Sequence, residues 1–84
     1  MAGTAYAINV VMTNGMSGYV KFYGDGTWDW HIVQDVDEAT LYSNKDECID
    51  DFYKHVVDCI MDGNVNIRVD RSRCRISECY CPWL

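Results

Sequence analysis

Tyr19-Val20-Lys21-Phe22-Tyr23-Gly24-Asp25-Gly26-Thr27-Trp28-Asp29-Trp30-His31-Ile32-Val33 is the stretch on which the fold turns. Character alternates residue by residue on both sides of Gly24-Asp25-Gly26. Trp28, Trp30 and Ile32 fall on one face and Asp29, His31 and Val33 on the other, the period of two of an extended chain. The glycines supply positive-φ positions for a tight hairpin between the two runs.

Upstream, Tyr6, Ile8, Val10 and Met12 alternate with Ala7, Asn9 and Val11, which predicts a first strand ended by the turn-rich Thr13-Asn14-Gly15-Met16-Ser17-Gly18. Downstream, Gln34 to Tyr42 reads as an acidic loop from which Ala39 and Leu41 dip into the core. Ser43 or Asn44 then has the spacing of a helix N-cap, with Asp46 or Glu47 in the first turn. Ile49, Phe52, Val56, Cys59 and Ile60 recur as one buried helical stripe, and Gly63 stands where a helix C′ residue would. Val65, Ile67 and Val69 predict a further strand. Arg73 to Ser77 predicts a short last one, paired with it through a turn near Asp70-Arg71-Ser72, before Pro82, Trp83 and Leu84 close the chain. The expectation is α+β: a β-β-β-α-β order with a fifth strand possible, one helix lying across an antiparallel sheet in a single compact domain over 1–84.

The size of the chain restricts what it can do. Eighty-four residues, 49 % apolar and rich in Tyr and Trp, suffice for one small core, and a deep pocket would remove packing that such a core needs. Net charge is −6 and unevenly spread. Residues 1–63 hold eleven acids against three lysines, whereas residues 64–84 hold four arginines against two acids. This balance disfavours direct contact with nucleic acid or anionic membrane and favours a protein partner with a basic surface. No basic leader and no run of ~18 apolar residues is seen, so a cytoplasmic setting with reduced thiols is expected.

Catalytic signatures are missing from the sequence: there is no G-x-S-x-G, P-loop, G-x-G-x-x-G or H-E-x-x-H. His55 and Cys59, four residues apart, have helical spacing for contact but no third group to orient them. Cys74, Cys79 and Cys81 form C-x4-C-x-C, which lacks the C-x2-C knuckle of structural zinc sites. Neither an enzyme, a cofactor nor a metal is expected, and a cysteine-based metal or redox module stands as the alternative.

On a long helix, Asp46, Glu47, Asp50, Asp51, Asp58 and Asp62 line the face opposite the buried stripe. Steps of four place carboxylates about 6 Å apart, on the scale of the phosphate charges along a nucleic-acid strand. Asp35, Asp37 and Glu38 extend the negative surface ahead of it. The same pattern also suits an ordinary solvated helix face. Arg68, Arg71, Arg73 and Arg75 form an opposing basic cluster suited to pairing with the protein's own acids or an acidic part of a partner. Trp28, Trp30 and Trp83 are candidate interface anchors, with at least one of the first two expected in the core.

In its small size, low pI, Trp28-Asp29-Trp30 hairpin, Asp37-Glu38-Ala39 loop and Asp46-Glu47 helix start, the chain resembles the small accessory proteins of bacteriophages and mobile elements, anti-CRISPR proteins among them. That resemblance implies an inhibitor, active in the host-cell cytoplasm, that blocks a nucleic-acid-handling defence complex such as a CRISPR effector. The acids named above would be its binding residues. A structural or regulatory interaction domain, including a homodimer paired through an exposed edge strand, is the other reading.

Overall fold

The computed structural model describes residues 3–24, 26–61 and 63–81; Asp25, Asp62, Pro82, Trp83 and Leu84, which figure in the sequence reading, lie outside them. Four strands form an antiparallel sheet in the order β3-β2-β1-β6: β1 (Gly3–Val11), β2 (Ser17–Phe22), β3 (Trp30–Val33) and β6 (Arg75–Cys81). One face of the sheet carries α1 (Lys45–Asp51), and a two-stranded ribbon, β4 (Ile60–Met61) with β5 (Asn64–Arg68), follows the helix. The architecture is α+β.

Alternation in β1 sets the two faces. Ile8, Val10 and Met12 point at the helix and pack with Val20, Phe22, Cys48, Phe52, Val56 and Val69. Ala5 and Ala7 point the other way and are nonetheless fully buried. What covers them follows from a gap in the sheet. β1 and β2 pair only near their turn, at Asn9↔Tyr19, Val10↔Gly18 and Val11↔Ser17. Beyond that point the strands part, and Thr40 to Tyr42 enter between them. Tyr42 exchanges two backbone hydrogen bonds with Tyr6, both 2.8 Å, while Thr40 donates its N–H to the Val20 carbonyl and its hydroxyl accepts the Phe22 N–H. Asp37 lies near the thiol of Cys79, whose strand neighbour is Ala5, on the face away from the helix. The chain therefore crosses from one face to the other through the split, and the small side chains of Ala5 and Ala7 leave room for it.

Three sequence expectations are corrected. The helix is short: its α-helical part ends at Asp51 and a single π-helical turn (Phe52–Val56) finishes it, the Val57 N–H reaching the Phe52 carbonyl five residues back at 2.9 Å. Cys59 and Ile60 consequently leave the helical stripe, and Ile60 is exposed in β4. The apolar run Val56-Val57-Asp58-Cys59-Ile60-Met61 serves a strand as well as a helix, because its β-branched residues favour extended chain. Asp62-Gly63 is a two-residue hairpin signature, and Met61 pairs with Asn64 across it. Gly63, at φ 74°, is thus a hairpin glycine and not a helix terminator.

Second, the last strand pairs with β1 along its length, from Gly3↔Cys81 to Asn9↔Arg75, and not with the strand before it. The linking residues Arg71–Arg73 form a 3-10 turn, while Met12 bridges Val69 and so ties the ribbon to the end of β1. Third, the central hairpin opens into a loop. Gly24 (φ 74°) and Gly26 (φ 91°) adopt the positive φ expected of them, but pairing resumes only at Phe22↔Trp30, and the Tyr23 N–H closes the loop on the Asp29 carbonyl at 3.0 Å. Trp28 thereby leaves the strand.

Gly18 sits where the sheet permits no side chain. A Cβ there would collide with the Ile32 Cγ2 and come within 2.7 Å of the Val33 carbonyl oxygen. Gly18→Ala is therefore expected to cost about 1–3 kcal/mol through overpacking against backbone. Urea unfolding with unchanged m-value would read this directly, and an unchanged midpoint would contradict the packing described.

Candidate functional site

Each acidic residue takes its position from the crossing segment. Asp35 turns the chain after β3, its side chain accepting the Asp37 N–H at 3.0 Å, which fixes a 3-10 turn over Val36–Glu38 and leaves Asp37 and Glu38 exposed. After the crossing, Asn44 is the N-cap: its side-chain oxygen accepts from the Asp46 N–H (2.8 Å) and the Glu47 N–H (3.3 Å). The first-turn carboxylates of Asp46 and Glu47 are favoured there by the helix's N-terminal partial charge. Asp35, Asp37, Glu38, Asp46 and Glu47 are all exposed, and the passage from the buried Ala39 through the half-buried Thr40, Leu41 and Tyr42 separates the two groups.

The expected row along the helix is broken. Asp50 is exposed but holds Lys54 in an i,i+4 ion pair at 2.8 Å, a contact that water and salt screen strongly at such a surface. Asp51 is half-buried and accepts the Tyr42 hydroxyl at 2.7 Å, clamping the crossing segment to the helix. Asp58 is exposed but lies in the turn after the π-helical residues, so it does not continue the row, and Asp62 lies outside the described residues. Among the described residues Lys54–Asp50 is the single ion pair. Among the described residues no arginine forms an ion pair with an acid; Arg71 instead lies 5.2 Å from the centroid of the Tyr53 ring.

A second surface was only partly foreseen from the tryptophans. Residues between β3 and β4 line an open groove of about 610 Å³, with Tyr23, Trp28, Asp29, Trp30 and His31 contributed by the hairpin and Cys59, Ile60 and Met61 by the start of the ribbon. Trp30 packs against the core and donates its indole N–H to the Cys59 sulfur at 3.3 Å. Trp28 is 52 % exposed. Its ring stacks on His55 at 3.8 Å with an interplanar angle of 4°, and Phe22 meets it edge-on at 5.3 Å. His55 is therefore half-buried against an indole, not on a solvated flank as its place beside Lys54 suggests. Tyr23 and His31 form a second stack at 4.8 Å. Residue types alone pointed to aromatic anchors; the loop that assembles them had no local signature.

The cysteines do not converge. Cys74 donates to the carbonyls of Asp70 and Val11 and accepts the Val11 N–H, whereas Cys79 lies further along β6, donating to the Ala5 carbonyl. No group of three or more His, Cys, Asp or Glu among the described residues is arranged to hold a metal ion. The Cys59 thiol donates to the backbone carbonyl of His55 and not to its ring. Burial, reinforced by the Asp51 carboxylate, pushes the Cys48 thiol up from an ordinary 9.0 to about 12. Burial also raises the Tyr42 hydroxyl, with its hydrogen bond to Asp51 acting in the same direction. No helix among the described residues is long and apolar enough to cross a membrane.

No family model matches the chain, and no curated protein or solved structure does either.

The buried thiol has a consequence for stability. Below pH 9 Cys48 is protonated whether the chain is folded or not, so its contribution is fully present. Between about 9 and 12 the unfolded chain releases the proton while the folded one keeps it, and stability falls until the folded value is passed. Tyr42 adds to the fall from about pH 10, the ordinary value of its hydroxyl, upward. Urea midpoints should thus hold to about pH 9 and then decline, less steeply in Cys48→Ala. A flat profile to pH 11 would contradict the burial of this thiol.

Proposed function

We propose that this protein is a non-enzymatic inhibitor that covers a basic surface on a nucleic-acid-handling partner, in the manner of the anti-CRISPR-type proteins it resembles in build. The observation that carries this reading is the uncompensated charge: one ion pair among the described residues of a chain with net charge −6, with Asp35, Asp37, Glu38, Asp46 and Glu47 exposed around one crossing segment. The Asp35 and Asn44 side chains fix the backbone turns that carry these acids, so on binding lysine or arginine mainly side-chain freedom remains to be lost. The loop acids Asp35, Asp37 and Glu38, on the face away from the helix, replace the continuous helical row as the expected contact, while Asp46 and Glu47 stand on the helix side of the sheet. A catalytic role gains no support from the cysteines and histidines. Cys48 is held as a thiol, and both imidazole rings are engaged in aromatic stacks.

The test is competition for DNA on a purified CRISPR effector–guide complex at low and high salt. Inhibition should weaken as salt rises, and the double charge reversal Asp37→Lys with Glu38→Lys should lower apparent affinity on the order of tenfold or more. Both positions are exposed and neither takes part in a side-chain cap, so the variant should keep the native unfolding midpoint. Inhibition indifferent to salt and to the reversal would exclude an electrostatic mode at this surface.

One feature favours a second reading, self-association. β6 is an edge of the main sheet along all seven of its residues, with Tyr80 strongly exposed. Such an edge offers unpaired backbone groups to another copy. Sedimentation at rising concentration should then show a dimer that Ser77→Pro or Glu78→Pro removes. A monomer throughout would discard this reading.

A further inference from the structure

The groove beside Trp28 differs in chemistry from the acidic surface. Among the described residues its lining contains one carboxylate, Asp29, and neither a lysine nor an arginine. Aromatic rings make up much of its wall, and the thioether of Met16 and the side chain of Ile60, both exposed, add apolar contact. The indole of Trp28 is available on one side. His55 lies parallel to it at 3.8 Å, covering one face, and the separations of Phe22 from Trp28 (5.3 Å) and from His55 (6.4 Å) put Phe22 beside that stack and not across the indole's second face. An exposed indole face, an adjacent carboxylate and apolar side chains within one groove suit a single kind of occupant.

We propose that this groove receives an arginine side chain of a protein partner. The guanidinium stacks on the free face of Trp28, where the ring's negative face attracts a cation. Asp29, whose Oδ2 also accepts the Thr27 hydroxyl at 3.3 Å, accepts its N–H groups, and the aliphatic stem lies along Ile60 and Met16. Arginine fits better than lysine because a planar, weakly hydrated cation stacks on an indole and engages a carboxylate with two parallel donors. Charge complementarity argues in the same direction, since the described lining bears a carboxylate with neither lysine nor arginine and the whole chain is negative. His55 acts as a positioning residue: its parallel ring holds the indole in place, so that little side-chain entropy is lost on binding. The inference deepens the proposed function by adding an anchor for the basic partner, and it rests on that reading only for the identity of the partner.

The experiment uses the full chain, labelled with nitrogen-15, and two amidated glycine-rich heptapeptides that differ only in a central arginine or its neutral isostere citrulline. The arginine peptide should shift the indole N–H resonance of Trp28 and the amides of Tyr23 and Asp29 saturably, and the citrulline peptide should not. Trp28→Ala and Asp29→Asn, both at exposed positions and so expected to fold, should each weaken the arginine peptide by about fivefold. Equal shifts with citrulline would overturn the proposal by showing a groove that is merely apolar. Shifts confined to residues 35–38 and 46–47 would overturn it in favour of the acidic surface, and a response only to a single-stranded oligonucleotide would replace arginine by a stacked base. The two readings fail separately. Groove binding that persists in a protein without inhibitory activity removes the proposed function alone. Inhibition that persists in Asp29→Asn and Trp28→Ala, with no arginine response at the groove, removes this inference alone.

Discussion

Where β1 and β2 part, backbone groups of Tyr6, Val20 and Phe22 face a gap inside a sheet, and each would cost about 1–3 kcal/mol if left unpaired away from water. Thr40 and Tyr42 supply their partners, and most of the molecule's functional geometry follows from that substitution. The connection between β3 and the helix is thereby drawn through the sheet and not around its edge. Its first half presents Asp35, Asp37 and Glu38 on one side, and its second half delivers Asn44 to cap the helix on the other. The hydrogen bond from the Tyr42 hydroxyl to Asp51 then fastens the helix to the same segment. An acid that a helical wheel assigns to solvent is here a structural acceptor.

The helix is short for a related reason. Its apolar positions must meet a narrow, split sheet and then hand the chain to the ribbon that closes the end of β1 through the Met12–Val69 bridge. A π-helical turn accommodates this: Phe52 and Val56 both remain in the core, and His55 comes over Trp28. π-helical turns recur where local geometry serves a site. In this protein that turn supplies the support of the exposed Trp28 ring.

Two surfaces of different physical kind result. One is a set of exposed carboxylates on capped turns, and the field of such charges is long-ranged and screened by salt. The other is an aromatic groove, whose contribution is short-ranged and depends on shape. Binding surfaces commonly combine such roles, with charge steering the encounter and a few aromatic contacts limiting dissociation.

Much of the fold is legible in the sequence because its signals are local. Alternation fixes β1, β2 and β5, the positive-φ glycines mark the hairpin, and the spacing of Asn44 to Glu47 marks the start of the helix. The acids of the loop and the first helical turn are exposed as their sequence position suggests, since caps and turns are themselves local structures. The end of the helix, the partner of the last strand, the departure of Trp28 from its strand and the loss of the carboxylate row were not legible. The partner of the last strand, the place of Trp28 and the loss of Asp51 from the row are decided by contacts between residues far apart in the chain, Arg75 with Asn9, Trp28 with His55 and Tyr42 with Tyr6 and Asp51. The end of the helix turns on an apolar run that suits helix and strand alike and on the Val69–Cys59 hydrogen bond within the ribbon. Charge, composition and periodicity determine which residues seek water and which avoid it. Only the folded chain decides which backbone groups are left to be satisfied, and here that requirement set where the acids and the aromatic groove came to lie.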